Sequence, residues 1–259
     1  QEASQQHRQQ QQQQQQRRPQ PLTHRTELRH RLIVSSLTYQ QDTTISPEAL
    51  ERDPENIWLA RGPRFRMSGE MIRDMVLASS GLLSRKLGGP SVHPPQPSSV
   101  TAAAYGGARW NASQGESRYR RSLYTFMKRT APFAAFLAFD GPTGEQCLPR
   151  RDRSNTPIQA LTLLNDEMFI EAARAIAAQL KGTKDEQLDI LYQRILTRLP
   201  HEDERKALLQ FYENQLARLS AGDLDAAEIL LDQSGNNQRA AMAMLARAIY
   251  NLDEAITRE

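Results

Sequence analysis

The sequence predicts a mainly α protein, an irregular multi-helix bundle with a long Pro/Gly-rich loop and a disordered Gln-rich amino-terminal tail. Three observations predict it. Apolar residues recur at three- and four-residue spacing late in the chain, as in Leu188, Leu191, Tyr192, Ile195, Leu196 and Leu199, which is the stripe that one helix face buries. Polar residues precede proline at Ser46-Pro47, Asp53-Pro54 and Thr156-Pro157; this pairing opens helices, since the N–H that proline lacks has no partner in a first turn. No series of alternating apolar and polar residues suggests a sheet.

The elements follow in order. Residues 1–28 hold an unbroken glutamine run from Gln9 to Gln16 and too little apolar surface to offset the entropy of ordering, so they read as a disordered leader. Residues 29–259 form the folded domain. Leu32, Ile33, Ser36, Leu37 and Gln40 fit one helical face from Arg29 to Gln41. Short helices are expected over 47–52 and 54–60, then an extended link at Phe65 and Met67. Ser68 caps a helix expected to reach Lys86, with Gly88-Gly89-Pro90 closing it. Residues 90–117 carry Pro94, Pro95, Pro97, Gly106, Gly107 and Gly115 and read as a long loop. A helix is expected over 120–129 with Leu123, Tyr124 and Met127 facing the core. Thr156-Pro157 starts a helix burying Ile158, Leu161, Leu163 and Leu164, and Asn165-Asp166 recaps the next. Further helices are expected over 183–199, 201–219, 225–231 and 238–252, with short connections that favour antiparallel neighbours.

Composition narrows the function classes. The 259 residues carry 33 basic and 30 acidic side chains, for a net charge of +3, too even a balance to point to nucleic acid. One cysteine excludes an internal disulfide, a four-cysteine zinc site and a CxxCH haem attachment within the sequence. No run of 18 apolar residues occurs, so no transmembrane helix is expected. The five histidines lie at 7, 24, 30, 93 and 201, without metal-ligand spacing, so no metal site is expected. Glycine motifs for nucleotides and the GxSxG nucleophile elbow are absent.

The candidate chemistry lies between Arg118 and Asn165. Arg150, Arg151, Arg153 and Asn155 precede a helix start, where guanidinium forks and free amide N–H groups together suit a phosphate, sulfate or carboxylate. The competing reading pairs these arginines internally with Asp140, Glu145, Asp152 or Asp166. Asp140, Glu145, Asp166 and Glu167 include candidates for an acid–base pair of the glycosidase kind, although capping and arginine pairing account for them more simply. Cys147 has no histidine at a nucleophile's spacing and reads as a buried structural thiol. Phe133, Phe136 and Phe139 read as core rather than as a stacking platform.

The run RRSLYTFMKRTAPFAAFLAFDGPTGEQCLPRRDRSNTPIQALTLLNDEMFIEAARAIA closely resembles the planctomycete-type domain of unknown function 1553. The likeness extends upstream through HRLIVSSLTYQQ and ERDPENIWLARGPRFRMSGEMIRDMVLASSGLL, and downstream to NLDEAITRE, covering roughly Arg29 to Glu259. The resemblance implies a carboxy-terminal piece of a longer exported protein, periplasmic or at the cell surface, with cytochrome c-like haem in upstream domains and no cofactor in this chain. The glutamine-rich leader departs from the family pattern. No catalytic residues are carried over, because none is established for the family. The expected role is assembly or recognition beside those upstream domains, in polysaccharide use. The alternative is an enzyme acting on an anionic or sulfated polysaccharide, and nucleic-acid binding ranks last.

Overall fold

The computed structural model describes residues 22–97, 110–147 and 149–258. The chain divides into two units, one ending at Arg64 and the other running from Phe65 to Arg258.

In the first unit, α1 (Leu22–Val34) starts earlier than its apolar pattern suggests. Residues 22–28, expected to be disordered, are therefore helical, while the rest of the expected leader, 1–21, lies outside the described residues. Ser46 caps α2 (Pro47–Arg52) by accepting from Ala49 N at 3.2 Å. The helix expected over 54–60 does not form. The buried Asp53 carboxylate instead accepts from Ile57 N and Trp58 N, at 2.7 and 2.9 Å, and folds those residues into turns around itself. None of this unit's described large apolar side chains is buried: Leu32, Ile33, Leu37, Ile57, Trp58 and Leu59 are each more than half exposed.

The second unit opens and closes on one two-stranded antiparallel ribbon. In it β1 (Phe65–Arg66) pairs with β2 (Thr257–Arg258), Phe65 opposite Arg258. Ser68 caps α3 (Gly69–Ser79) as expected, but the helix ends about two turns before Lys86. Gly81 adopts φ +77°, and the N–H groups of Leu82 and Leu83 both turn back to the Leu77 carbonyl. This tight end satisfies carbonyls that a longer helix would have used. The helix expected over 120–129 is replaced by 3-10 turns at Gly115–Tyr119 and Ser122–Tyr124. Here the backbone bonds outward: Ser84 N donates to Tyr119 O, Val92 N to Tyr124 O and Phe126 N to Val92 O, at 2.7–2.9 Å. Those bonds replace an i→i−4 ladder, and Leu123 ends 78% exposed rather than in the core.

The short α4 (Ala134–Ala138) precedes the main bundle of α5 (Pro157–Asn165), α6 (Glu167–Gln179), α7 (Lys184–Leu196), α8 (Glu202–Ala221), α9 (Ala226–Leu230), α10 (Asn237–Tyr250) and α11 (Asp253–Ile256). Cap chemistry sets the boundaries. Asp166 accepts from Met168 N at 3.0 Å to start α6, and Thr183 and Glu186 form a reciprocal capping box on α7. Gly222, at φ +83°, ends α8. The core centres on α10, which packs against α6 and α8. Ala240, Ala241, Ala243 and Ala246 on it are buried and let neighbouring backbones approach closely. Phe139 joins this core, whereas Phe133 and Phe136 form a separate small cluster with Trp110. All three phenylalanines are buried, as expected. Ile158 and Leu161 are not: α5 turns them outward and buries Gln159 and Leu163 instead. Among the described residues no helix is long and apolar enough to cross a membrane.

Candidate functional site

The arginine segment borders a cleft of about 250 Å³ in the second unit, lined from five directions. Phe65 and Arg66 of β1 form one wall and Met67, Ser68 and Met71, around the start of α3, form another. Phe139 and Asp140 follow α4, Arg150 to Arg153 supply the loop, and Gln159 of α5 closes the floor. Gly69 permits this arrangement. A Cβ at that position would stand 3.2 Å from the Phe136 Cα and from the Phe139 Cβ, tighter than ordinary contact, so any larger residue pushes α3 off the α4 turn.

The loop is fixed by polar contacts. Asp140 sits in the left-handed region at φ +57° and holds Ser154 through both backbone and side chain, accepting from Ser154 N at 2.7 Å and Oγ at 2.8 Å. Gln159 Nε2 donates to the same residue, to its carbonyl at 3.3 Å and its Oγ at 3.2 Å. The opposite end of that amide, Oε1, is buried without a partner. Such an acceptor is costly to leave unmet, and the Asp140–Ser154–Gln159 chain is the most demanding polar feature of the cleft.

Each arginine has a different situation. Arg151 Nη1 bridges both Glu70 oxygens, at 3.0 and 2.9 Å. Burial pushes the Glu70 carboxyl up, but the Arg151 hydrogen bond, with help from its own backbone and Ser68, more than reverses this and leaves it below its ordinary value. Arg153 lies over the Phe65 ring, 4.8 Å from its centroid, a cation–π contact. Arg150 is exposed and has no partner among the described residues, and neither has the neighbouring Asp152 carboxylate. Asn155 is exposed and does not line the cleft.

The remaining sequence candidates are dispersed. Of the four carboxylates considered for acid–base work, only Asp140 lines the cleft, and Ser154 occupies it. Asp166 caps α6, where burial pushes its carboxyl up to about 6 against the opposing Met168 N–H bond. Glu167 pairs with Arg118, and Glu145 is exposed away from the cleft. Cys147 is exposed, correcting the expectation of a buried thiol. It follows the Gly141–Gly144 turn on a surface loop, which packs nothing over it. Among the described residues no three His, Cys, Asp or Glu side chains group as metal ligands would.

Sequence reasoning missed Glu70, Phe65 and Gln159. Glu70 reads as a helix-dipole charge and Phe65 as strand alternation, and both partners lie some eighty residues away from the arginines they meet. No local spacing signals such pairs.

The family model described as PSD1, a protein of unknown function (DUF1553), matches residues 23–212. No curated protein and no solved structure matches the chain. The match spans most of both units described above, and the chain belongs to the DUF1553 family.

Proposed function

We propose that this chain is an assembly and recognition module that docks onto a partner protein surface through residues 22–64. One observation carries this reading: the first unit has no buried apolar residue of its own among those described, while six large apolar side chains between Leu32 and Leu59 are more than half exposed. Exposed apolar surface on that scale marks an interaction site. On α1 the exposed Arg25, Arg29 and Arg31 outnumber Glu27, so the complementary partner is an apolar groove with an acidic rim. In the longer proteins that the family resemblance implies, the preceding domain is that partner. The test is size-exclusion co-elution of the chain with that preceding domain, and again with Leu32→Glu/Ile33→Glu. Co-elution lost in the double variant, with its own melting unchanged, supports the reading. A complex indifferent to the substitutions, no complex at all, or self-association of the chain alone contradicts it.

A second reading has its own observation, the unpartnered Arg150 at the mouth of the cleft beside Arg151 and Arg153. It makes the cleft a recognition site for a sulfate or carboxylate on a polysaccharide, with Arg150 as the free fork. The enzyme alternative would need a second carboxylate beside Asp152, and Asp140 and Glu70 are both engaged. Binding of a sulfated oligosaccharide that vanishes in Arg150→Gln supports the site. Equal binding by that variant removes it.

A further inference from the structure

Away from the cleft, a cavity of about 380 Å³ opens between α6, α10 and the residues around α9, within the size range of small-molecule sites. Arg174 of α6 and Arg247 of α10 both line it. Neither guanidinium forms an ion pair among the described residues. Each carries five N–H donors and uses one: Arg174 Nε donates to the Ile229 carbonyl and Arg247 Nη2 to the Leu164 carbonyl. Arg247 Nε is buried with no partner. Burial pushes both guanidinium pKa values down. At Arg174 the Glu171 carboxylate counters that and the charge of Arg247 adds to it. The two guanidiniums therefore leave most of their N–H donors without a protein acceptor beside this cavity.

The rest of the lining narrows the ligand. Asp223, Asp225 and Glu228 stand exposed at the edge. Asp225 Oδ1 accepts from Ala227 N at 2.8 Å, and the side chains of Asp223 and Glu228 have no partner among the described residues. Two guanidiniums against three carboxylates give the lining a net charge of −1, which opposes a sulfate or phosphate dianion. The intervening surface from Ile170, Leu224 and Ile229 is apolar.

We propose that this cavity binds a small zwitterion, an α-amino acid with an apolar side chain. Its carboxylate meets Arg174 and Arg247, its ammonium meets the acidic edge, and its side chain packs on Ile170, Leu224 and Ile229. The site is separate from the Arg150 cleft and does not depend on the docking reading.

The test is isothermal titration of the full chain with leucine, with 4-methylpentanoate, which lacks the ammonium, with 3-methylbutylamine, which lacks the carboxylate, and with inorganic sulfate. Leucine is expected to bind at least about tenfold more tightly than either half-ligand, since each loses one charge-assisted contact. Arg247→Gln is expected to weaken leucine by about tenfold or more, and Arg150→Gln to leave it unchanged. Should Arg247→Gln fail to fold, Leu224→Trp, at a partly buried position of the lining, fills the cavity with no change of charge and is expected to abolish binding. No heat with leucine, equal binding of a half-ligand, tighter binding of sulfate, or leucine binding unaffected by Leu224→Trp would each overturn the proposal.

Discussion

Two arginine sites of this molecule differ in the opposite sense from their sequences. The loop at 150–153 packs three arginines into four residues, yet Arg151 is engaged by Glu70 and Arg153 by the Phe65 ring. The cavity between α6 and α10 is made by single arginines 73 residues apart in the sequence, each set in an apolar stretch, and there most of the donors are unused. Density along the chain therefore says little about availability. What decides it is which carboxylates, carbonyls and rings the fold brings within reach, and that depends on partners far away in sequence.

The sharpest way to break this comparison is at Arg73, the most deeply buried arginine of the described residues. It is 1% exposed and donates to the Arg120 carbonyl at 2.7 Å and the Arg118 carbonyl at 3.0 Å. Burial holds its pKa down at about 10. Arg73→Ala leaves those carbonyls unmet, and chemical denaturation is expected to show a loss of about 3–5 kcal/mol. Next is Asp140→Ala, which removes the bonds to Ser154 and puts alanine at φ +57°; about 2–3 kcal/mol is expected in the same assay, with loss of any anion binding in the cleft. Arg151→Ala breaks a pair whose two side chains are 44% and 29% exposed, so about 1 kcal/mol or less is expected. Arg150→Gln, with no partner to lose, is expected to stay within about 0.5 kcal/mol of the parent.

Charge pairing also sets a pH dependence, and here Asp166 and Glu204 act in opposite directions. The Asp166 carboxyl, facing Met168 N, Glu167, Arg73 and Glu171, is raised from 3.8 to about 6. A raised carboxyl favours the folded state fully below pH 3.8, and that contribution is lost as pH rises through 6, by about 1–3 kcal/mol. Glu204, gripped by Arg198, is lowered to about 2. Its contribution is present above pH 4.5 and lost as pH falls through 2, and exposure keeps it smaller. Asp166→Asn keeps an acceptor for Met168 N and is expected to flatten the decline between pH 4 and 6 in melting curves. An unchanged slope there would contradict the assignment.

The same division governs what the sequence disclosed. Helices whose stripes and caps are local, such as α6 with Asp166 and α7 with its Thr183–Glu186 box, lie within a few residues of where spacing places them. The segment 120–129 has helical spacing too, but its backbone is claimed by residues 84–93 and its carbonyls by Arg73, contacts across some thirty to fifty residues. Ile158 and Leu161 have the right spacing for burial and no surface above them. At the site, Arg150, Arg151 and Arg153 were legible as a group through their charge. Glu70, Phe65, Arg174 and Arg247 were not, because each becomes informative only beside a residue placed by the fold.

The most direct test of this account is phenylglyoxal modification of the native chain, with mass spectrometry following each arginine. Arg150 is expected to react first. Arg174 and Arg247 are expected to react more slowly and to be protected by leucine, while Arg73 stays unmodified until the chain unfolds. Reaction at Arg73 as fast as at Arg150 would contradict the claim that engagement, and not density along the chain, decides which arginines are available.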